Sequence, residues 1–292
     1  MGKKAITVEA QIQKLTSRGM VMDLGVEKAK EILLDIGYYR LGFYWNPFEI
    51  DENHNLQPNT KFSDVVKLYY LDTDLKHILN KAINRIEINF KTQLIYYTSI
   101  KYDQNPTWFA DKKIVKREYV EGFKFHYTKK FKSDNKPIKN HHKKYINDIY
   151  APAWKTLEFL TFGSVITLYI SIYNKELKEQ IADQYNIKSI KVFENFLLTI
   201  LFIRNICAHS DLLFDSNTPK EISTTPIISF NNNNRHCLDS SIKVILYFLK
   251  EISTSRHNII KLEIDTLFDN FKTNDVIKDI IINKIGHSYG VV

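Results

Sequence analysis

Three side chains near residue 205 have the types and spacing that could cleave RNA. Arg204 and Asn205 are adjacent, and His209 follows Asn205 by four residues, so a helix places Asn205 and His209 on one face. An imidazole with a pKa of about 6.5 can take the proton from a ribose 2′-hydroxyl or give one to a departing 5′-oxygen. A guanidinium can neutralise the charge that develops on the phosphorane, and Asn205 can orient His209. We therefore predict Arg204, Asn205 and His209 as catalytic residues.

The segment before these residues predicts the helix that positions them. Ser189 is the expected N-cap of a helix from Ile190 to about Ala208. A helix that is apolar on nearly every side lies in a core or an interface, so Arg204 should leave a buried helix and need an anion such as phosphate. The alternative is an ordinary helix end, where the helix dipole favours a histidine. One predicted face carries Phe193, Phe196, Leu197, Ile200 and Ile203, and the other carries Leu198 and Phe202.

Most of the chain's formal charge of +8 lies in one basic region. Between Lys112 and Lys144 there are twelve Lys or Arg residues and three acidic residues. Cations follow a phosphate backbone and aromatic rings stack on bases, so this region is a candidate RNA-binding surface. The alternative is a solvated helix pair whose aromatic rings pack inward. The predicted RNA-binding residues are Lys112, Lys113, Lys116, Arg117, Lys124, Lys129, Lys130, Lys132, Lys139, Lys143 and Lys144, and the interleaved rings are Phe123, Phe125, Tyr127 and Phe131.

The wider sequence predicts an all-α protein. Only nine Gly and seven Pro occur in 292 residues, which favours long helices over turns and strands. One helical pattern is predicted from a cap at Ser63 to about Tyr102, with a possible break at the triplet Asp72 to Asp74. The charged residues that lie off its apolar stripe are expected on an exposed face with weak ion pairing, and they are Arg85, Glu87 and Lys91. We divide the chain into an N-terminal helical segment with an aromatic cluster, residues 1–60, and a helical domain, residues 61–292. The basic region forms an insertion at about 111–147.

Several other functional classes are disfavoured by the sequence. The two cysteines, Cys207 and Cys237, are thirty residues apart and form no CxxC pair, so we expect neither a disulfide framework nor a cysteine zinc site. We expect no metal and no cofactor, and we expect the pair His141 and His142 to lie on the surface. The apolar runs are too short to span a membrane and the N-terminus lacks a signal peptide's apolar core, which predicts a cytoplasmic protein without membrane contact.

Five blocks in consistent order between residues 8 and 215 resemble one protein family. They have the patterns L-x-x-R-G, G-Y-Y-R-L-x-x-Y-W, L-Y-x-x-D-x-x-L with A-I-x-x-I-E-I, P-x-W with a following E and F-G, and R-N-x-x-x-H. The chain resembles the Abi-like (AbiD/AbiF type) abortive-infection proteins of the HEPN superfamily. The blocks lie at Leu15 to Gly19, Gly37 to Trp45, Leu68 to Lys91, Pro152 to Gly163 and Arg204 to His209.

The resemblance implies an HEPN-type helical bundle with an N-terminal extension, and phage defence by RNA cleavage. It implies that the catalytic cleft forms where two R-N-x-x-x-H motifs meet. One motif per chain then implies a homodimer, in which one His209 acts as base and the other as acid while both Arg204 side chains hold the phosphate. Some relatives are associated with a small non-coding RNA, which makes such an RNA a further expected partner.

The residues after the motif keep a second function open. Many relatives have a basic residue before a Leu-aromatic pair, whereas this chain continues from Asp211 to Asp215 as Asp-Leu-Leu-Phe-Asp. An acidic residue there weakens the expected grip on RNA. The alternative is a non-catalytic RNA-binding protein that forms a ribonucleoprotein with a small structured non-coding RNA.

Overall fold

The computed structural model describes residues 4–209 and 211–289, and these residues form an all-α protein. Only isolated β-bridges, and no strands, occur in these ranges, so the predicted fold class is confirmed. The helices are α1 (Val8–Ser17), α2 (Val26–Asp35), α3 (Tyr38–Trp45), α4 (Phe62–Lys101), α5 (Arg117–His126), α6 (Lys129–Asp134), α7 (Lys136–Lys144), α8 (Ala153–Thr156), α9 (Phe162–Ser171), α10 (Lys175–Asp183), α11 (Ile190–His209), α12 (Leu238–Ile252), α13 (Thr254–Asp269) and α14 (Asp275–Ile280). Short 3-10 turns lie at Asn46–Phe48, Trp108–Ala110, Leu157–Phe159 and Asn231–Asn233, and a π turn lies at Ile281–Ile285.

Helix α4 is the central element of the fold. It runs unbroken for 40 residues and contacts α3, α10, α11, α12 and α13. Its apolar side chains recur at helical spacing, and this stripe is buried as the sequence pattern predicts. The stripe includes Leu75, Leu79, Ala82, Ile83, Ile86, Phe90 and Leu94.

The predicted break in α4 at residues 72–74 does not occur. The carboxylate of Asp72 accepts hydrogen bonds from α3 and from the segment after α11, and within α4 it pairs only with the side chain of Lys76. Thr73 donates its hydroxyl to the carbonyl of Tyr69, 2.9 Å away and one turn earlier. Because neither side chain takes a backbone N–H of α4, the competition that would have interrupted the helix is absent.

The predicted start of α4 at Ser63 is also wrong. The helix begins at Phe62, with Lys61 at the N-cap and no cap bond from its side chain. Instead, the N–H of Ser63 donates to the carboxylate of Asp23 over 3.0 Å. A residue forty positions earlier therefore satisfies this helix end, and a local sequence pattern does not reveal such a partner.

The buried aromatic rings fix how α11 lies in the core. Phe90 of α4 lies 6.0 Å from Phe193 of α11 between ring centroids, and 5.6 Å from Tyr169 of α9. Phe193 stacks on Phe248 of α12 at 5.7 Å. These contacts hold α11 between α4, α9 and α12.

In the described part of the chain, no helix is both long and apolar enough to cross a bilayer.

Lys91 corrects our expectation that the charged residues off the apolar stripe of α4 form an exposed face. Arg85 is exposed, but Lys91 is buried. Its ammonium group lies 2.9 Å from the carboxylate of Glu87 and donates to the carbonyl of Leu160 over 2.8 Å. The lysine therefore joins α4 to the segment between α8 and α9, and both its charge and its donors are satisfied.

The N-terminal segment packs on α4 through its aromatic cluster. Tyr44 and Trp45 of α3 are buried, as is Phe48 in the following turn, whereas Tyr39 and Phe43 are exposed. Tyr44 meets Tyr69 of α4 edge to face, with 5.3 Å between ring centroids. The cluster therefore joins α3 to α4, as aromatic pairs commonly do.

Candidate functional site

Helix α11 is buried on one side and open on the other. Phe193, Phe196, Leu197, Ile200 and Ile203 are inaccessible to solvent, which confirms the predicted inward face. On the opposite side, Leu198 is 40% exposed and its neighbours Leu201 and Phe202 are half-buried. Helix α11 therefore combines a buried apolar face with an apolar face that is partly open to solvent.

The three predicted catalytic residues emerge together at the end of α11. Arg204 is half-buried, while Asn205 and His209 are exposed. The guanidinium of Arg204 reaches the side-chain oxygen of Asn205 at 3.4 Å, which is a weak hydrogen bond. Among the described residues, no carboxylate pairs with Arg204 and no hydrogen bond joins Asn205 to His209. The arrangement presents a cation, an amide and an imidazole to solvent on the last turns of one helix.

The two residues inside the motif that face the core have a packing role. Ile206 and Cys207 are each 8% exposed. Burial raises the pKa of the Cys207 thiol to about 12. The charge of Lys76 lowers this pKa by a smaller amount, and the charge of Asp72 raises it by a smaller amount. Such a thiol stays protonated at neutral pH and is a poor nucleophile. The chemistry of the motif therefore belongs to the residues on its outer face.

A buried carboxylate that sequence reasoning missed holds the segment after the motif. Asp72 is fully buried, and one of its oxygens accepts the backbone N–H groups of Leu213 at 3.1 Å and Phe214 at 2.7 Å. The other oxygen accepts the hydroxyl of Tyr44 at 2.9 Å and lies 2.6 Å from the ammonium group of Lys76. We call Asp72, Tyr44 and Lys76 the carboxylate clamp. It ties α3, α4 and the chain beyond α11 together.

The clamp fixes where α11 ends relative to the core. Burial raises the pKa of Tyr44, and the neighbouring charge of Asp72 raises it further, so the hydroxyl remains a donor. The N–H of Asp211 donates to the carbonyl of Ile206 over 3.2 Å and closes the helix end. The only sequence signal for the clamp was the aspartate of the L-Y-x-x-D block, which we read as a helix breaker.

The basic insertion exposes most of the residues predicted to bind RNA. Of the eleven, Lys132 is half-buried and the other ten are exposed. Lys112 and Arg117 share the carboxylate of Glu121, at 2.9 Å and 2.7 Å, and these two cations hold the pKa of Glu121 at about 2. The insertion folds as α5, α6 and α7, with helix on both sides of residues 134–137 as the sequence indicates.

The aromatic rings of the insertion correct part of the stacking hypothesis. Phe123 and Tyr127 are buried and Phe131 is half-buried, so these rings pack inward as the alternative expected. Phe125 alone among the four is exposed, at 83%. Bases that stack on this surface must therefore use Phe125 or rings outside the predicted set.

The expectation that His141 and His142 both lie on the surface is wrong. His141 is buried, and its Nε2 lies 2.9 Å from the carboxylate of Asp148. His142 is half-buried, with its Nε2 2.9 Å from the hydroxyl of Tyr127. That hydroxyl accepts the N–H of Ala151 over 2.8 Å, so it can donate its own proton to a neutral His142. The pair fastens α7 to α5 and to the chain that follows α7.

Acidification is expected to loosen the insertion. Burial lowers the pKa of His142, and the charges of Lys132 and His141 lower it further, so the folded state favours the neutral imidazole. The neutral imidazole of His142 therefore contributes to the free energy of unfolding above the ordinary histidine pKa of about 6.5. This contribution is lost as the pH falls through the lowered pKa of the folded state. The protection factors of the amides across residues 127–151, which correct the exchange rate for its intrinsic dependence on pH, should therefore fall between about pH 7.5 and pH 5.5. The variant His142→Gln should lose this fall, and equal protection factors of the parent at both pH values would contradict the account.

Helix α9 separates the insertion from the motif helix. It contacts α5 on one side and α11 on the other. Gly163 in its first turn lies against Leu201, such that a Cβ on the glycine would be 3.5 Å from that side chain.

In the described residues, no cluster of three or more His, Cys, Asp or Glu side chains could hold a metal ion.

Comparison with known families identifies the chain. A family model described as Abi-like protein matches residues 31–215. The chain belongs to the Abi-like family. This membership associates it with abortive infection, a form of phage defence. Comparisons with curated proteins and with solved structures gave no match.

The family match covers both the motif and the clamp. It starts within α2 and ends at Asp215, one residue beyond the backbone that Asp72 holds. Tyr44, Asp72 and Lys76 all lie within it. The Abi-like part of the resemblance is thus confirmed, whereas the HEPN assignment and the catalytic roles stay predictions.

Proposed function

We propose that this Abi-like protein is a metal-independent endoribonuclease of the HEPN type that acts in abortive infection. The observation that carries the proposal is the end of α11, where Arg204 has no acidic partner among the described residues and lies beside an exposed Asn205 and His209. A half-buried guanidinium without a carboxylate suits a phosphate. The exposed imidazole of His209 adds a group that can accept or donate a proton.

The proposed reaction is an in-line displacement at phosphorus. One His209 takes the proton of the ribose 2′-hydroxyl as its oxygen forms a bond to the adjacent phosphorus. The bond from phosphorus to the 5′-oxygen breaks, and a second, protonated His209 gives its proton to that oxygen. Arg204 stabilises the charge on the phosphorane, and Asn205 positions the groups around it. The products are a 2′,3′-cyclic phosphate and a 5′-hydroxyl.

Two histidines at one phosphate require two copies of this chain, and the open face of α11 is the proposed contact between them. Leu198, Leu201 and Phe202 lie on that face directly before the motif. They line a cavity of about 270 Å³ that also includes Asn205 and Pro219. A second copy packed there would cover apolar surface and bring its own motif close to the first.

Charge placed on this face is expected to separate the two copies. The double variant Leu198→Asp, Phe202→Asp should be a monomer by light scattering and should lose RNA cleavage, because a buried unpaired carboxylate is costly at an apolar contact. Leu34→Asp is the matched control, since Leu34 is 75% exposed on α2. Cleavage by a parent protein that is itself monomeric would contradict the paired site.

The lysines of the basic insertion are proposed to hold the RNA. Lys113, Lys116, Lys124, Lys129 and Lys130 are exposed, as are Lys139, Lys143 and Lys144. Apart from the insertion's window the chain is close to neutral, so attraction to a phosphate backbone is concentrated here. RNA affinity should therefore fall steeply as salt increases.

One observation favours the second candidate, a non-catalytic RNA-binding protein. Asp211, two residues after His209, is exposed and places a negative charge beside the motif. RNA that copurifies with the protein distinguishes the candidates. One stoichiometric RNA species that stays intact with the purified protein supports the binding protein, and cleavage of added labelled RNA in the presence of EDTA supports the nuclease.

A further inference from the structure

The basic insertion and the loop before it border an open cavity that the proposed catalytic site does not use. Its volume is about 710 Å³, within the roughly 300–1,000 Å³ of small-molecule sites. The walls come from residues 105–112, α5, α6 and the chain after α7. Lys112, Lys124, Lys132, Tyr127, Ile149 and Tyr150 carry the argument that follows.

The charge lining this cavity is positive. Lys124 is exposed and has no ion pair among the described residues, and Lys132 holds its ammonium group 5.0 Å from the ring centroid of Tyr127. Lys112 shares Glu121 with a second cation, Arg117, so that carboxylate does not cancel both charges. The one acid in the lining, Asp111, accepts the side-chain amide of Asn105 at 2.9 Å and the N–H of Lys113 at 2.8 Å. These three ammonium groups favour a phosphate.

One wall of the cavity is apolar and rigid. Tyr150 is half-buried and packs against the rings of Phe109, Phe123 and Tyr127, with centroids 5.8 Å, 5.7 Å and 5.0 Å away. Ile149 beside it is 73% exposed, although it is a large apolar side chain. An ordered ring next to an exposed isoleucine forms a surface on which a flat base can lie.

We propose that this cavity binds one unpaired nucleotide of RNA, with its phosphate among Lys112, Lys124 and Lys132 and its base against Tyr150 and Ile149. The inference rests on the proposed RNA function and defines the substrate as single-stranded at this point. A base within a duplex is stacked and paired, and its face is covered. The cavity therefore selects single-stranded or looped RNA, whereas lysines on an open surface would accept a duplex equally well.

Substitution of Ile149 tests the cavity with a matched control. The probe is a fluorescently labelled single-stranded RNA of about twelve nucleotides, measured by anisotropy against a duplex of the same length. Ile149→Ser should weaken single-strand binding about fivefold and leave duplex binding unchanged, because it removes apolar contact and no charge. Ile146→Ser is the control, since Ile146 is 80% exposed, lies three residues away and does not line the cavity.

A charge series separates this proposal from general attraction to phosphate. The double variant Lys124→Gln, Lys132→Gln should abolish the preference for single-stranded RNA over the duplex. The double variant Lys129→Gln, Lys139→Gln should weaken the binding of single-stranded RNA and of the duplex equally. If Ile149→Ser and Ile146→Ser bind single-stranded RNA equally while the parent still binds RNA, the proposed nucleotide site in the cavity is wrong and the proposed function still stands. A parent that binds neither RNA would overturn both.

Discussion

Replacement of His209 by alanine is expected to lower RNA cleavage by about 100-fold to 10,000-fold while the fold and the affinity for RNA stay unchanged. The expected loss is the usual contribution of a positioned general acid or base. In the proposed dimer both copies of His209 change together, so the proposed base and the proposed acid are lost at once. The side chain is exposed at the end of α11, so its removal leaves no cavity in the core.

The measurement is the initial rate of cleavage of a labelled single-stranded RNA, with affinity followed by anisotropy in the same buffer. His77→Ala is the control, because His77 is exposed on α4 and far from the motif in sequence. Arg204→Ala should also lower the rate, by about 100-fold to 1,000-fold, since it removes charge stabilisation at the phosphorane. A His209→Ala protein that cleaves at the parent rate would refute the assignment.

Loss of the buried carboxylate of Asp72 is expected to have the largest effect on stability. In Asp72→Ala, the ammonium group of Lys76 and the hydroxyl of Tyr44 lose their partner, and two backbone N–H groups lose their acceptor. Removal of one partner from a buried ion pair costs about 3–5 kcal/mol of the free energy of unfolding. That is a large share of the roughly 5–15 kcal/mol that holds a typical domain folded.

Urea unfolding of Asp72→Ala and Asp74→Ala measures this cost directly. Asp74 lies two residues further along α4 and is exposed, so its substitution should change the free energy of unfolding by less than about 0.5 kcal/mol. Asp72→Ala should also release the segment after α11, which hydrogen exchange at residues 211–215 would detect. An unfolding free energy within about 1 kcal/mol of the parent would contradict the clamp.

The features predicted correctly from sequence are those that local patterns determine. The apolar period along α4 and the scarcity of glycine and proline specify long helices and an all-α fold. Thr7 caps α1 through its hydroxyl, which accepts the N–H of Ala10 over 3.3 Å, and threonine is a residue type favoured at that position. Ser189 lies before α11 with its hydroxyl 3.4 Å from the N–H of Val192. Both of these interactions join residues three positions apart, so a short sequence window contains both partners.

The features missed from sequence depend on partners far away in the chain. Asp72 was interpreted as a helix breaker because the two backbone N–H groups that donate to its carboxylate lie 141 and 142 residues later in the chain. Lys91 was placed on an exposed face because the carbonyl group that accepts its hydrogen bond belongs to Leu160, 69 residues later in the chain. His141 was expected at the surface, but it is buried where α7 packs against α6 and α8. Tertiary contacts of this kind override local propensity and polarity.

The candidate site combines both kinds of information. The spacing of Asn205 and His209 predicts their common position at the end of α11, and the helix fulfils that geometry within one chain. The environment of Arg204, the open apolar face beside it and the clamp beneath it required the folded structure.

The chemistry of the cleaved ends tests the central proposal most directly. Labelled RNA would be incubated with the parent protein and with His209→Ala in the presence of EDTA, and the fragment ends determined by mass spectrometry. We expect 2′,3′-cyclic phosphate and 5′-hydroxyl ends from the parent and intact RNA from the variant. Fragments that carry 3′-hydroxyl and 5′-phosphate ends, or identical fragments from both proteins, would contradict transfer of the 2′-hydroxyl proton to His209.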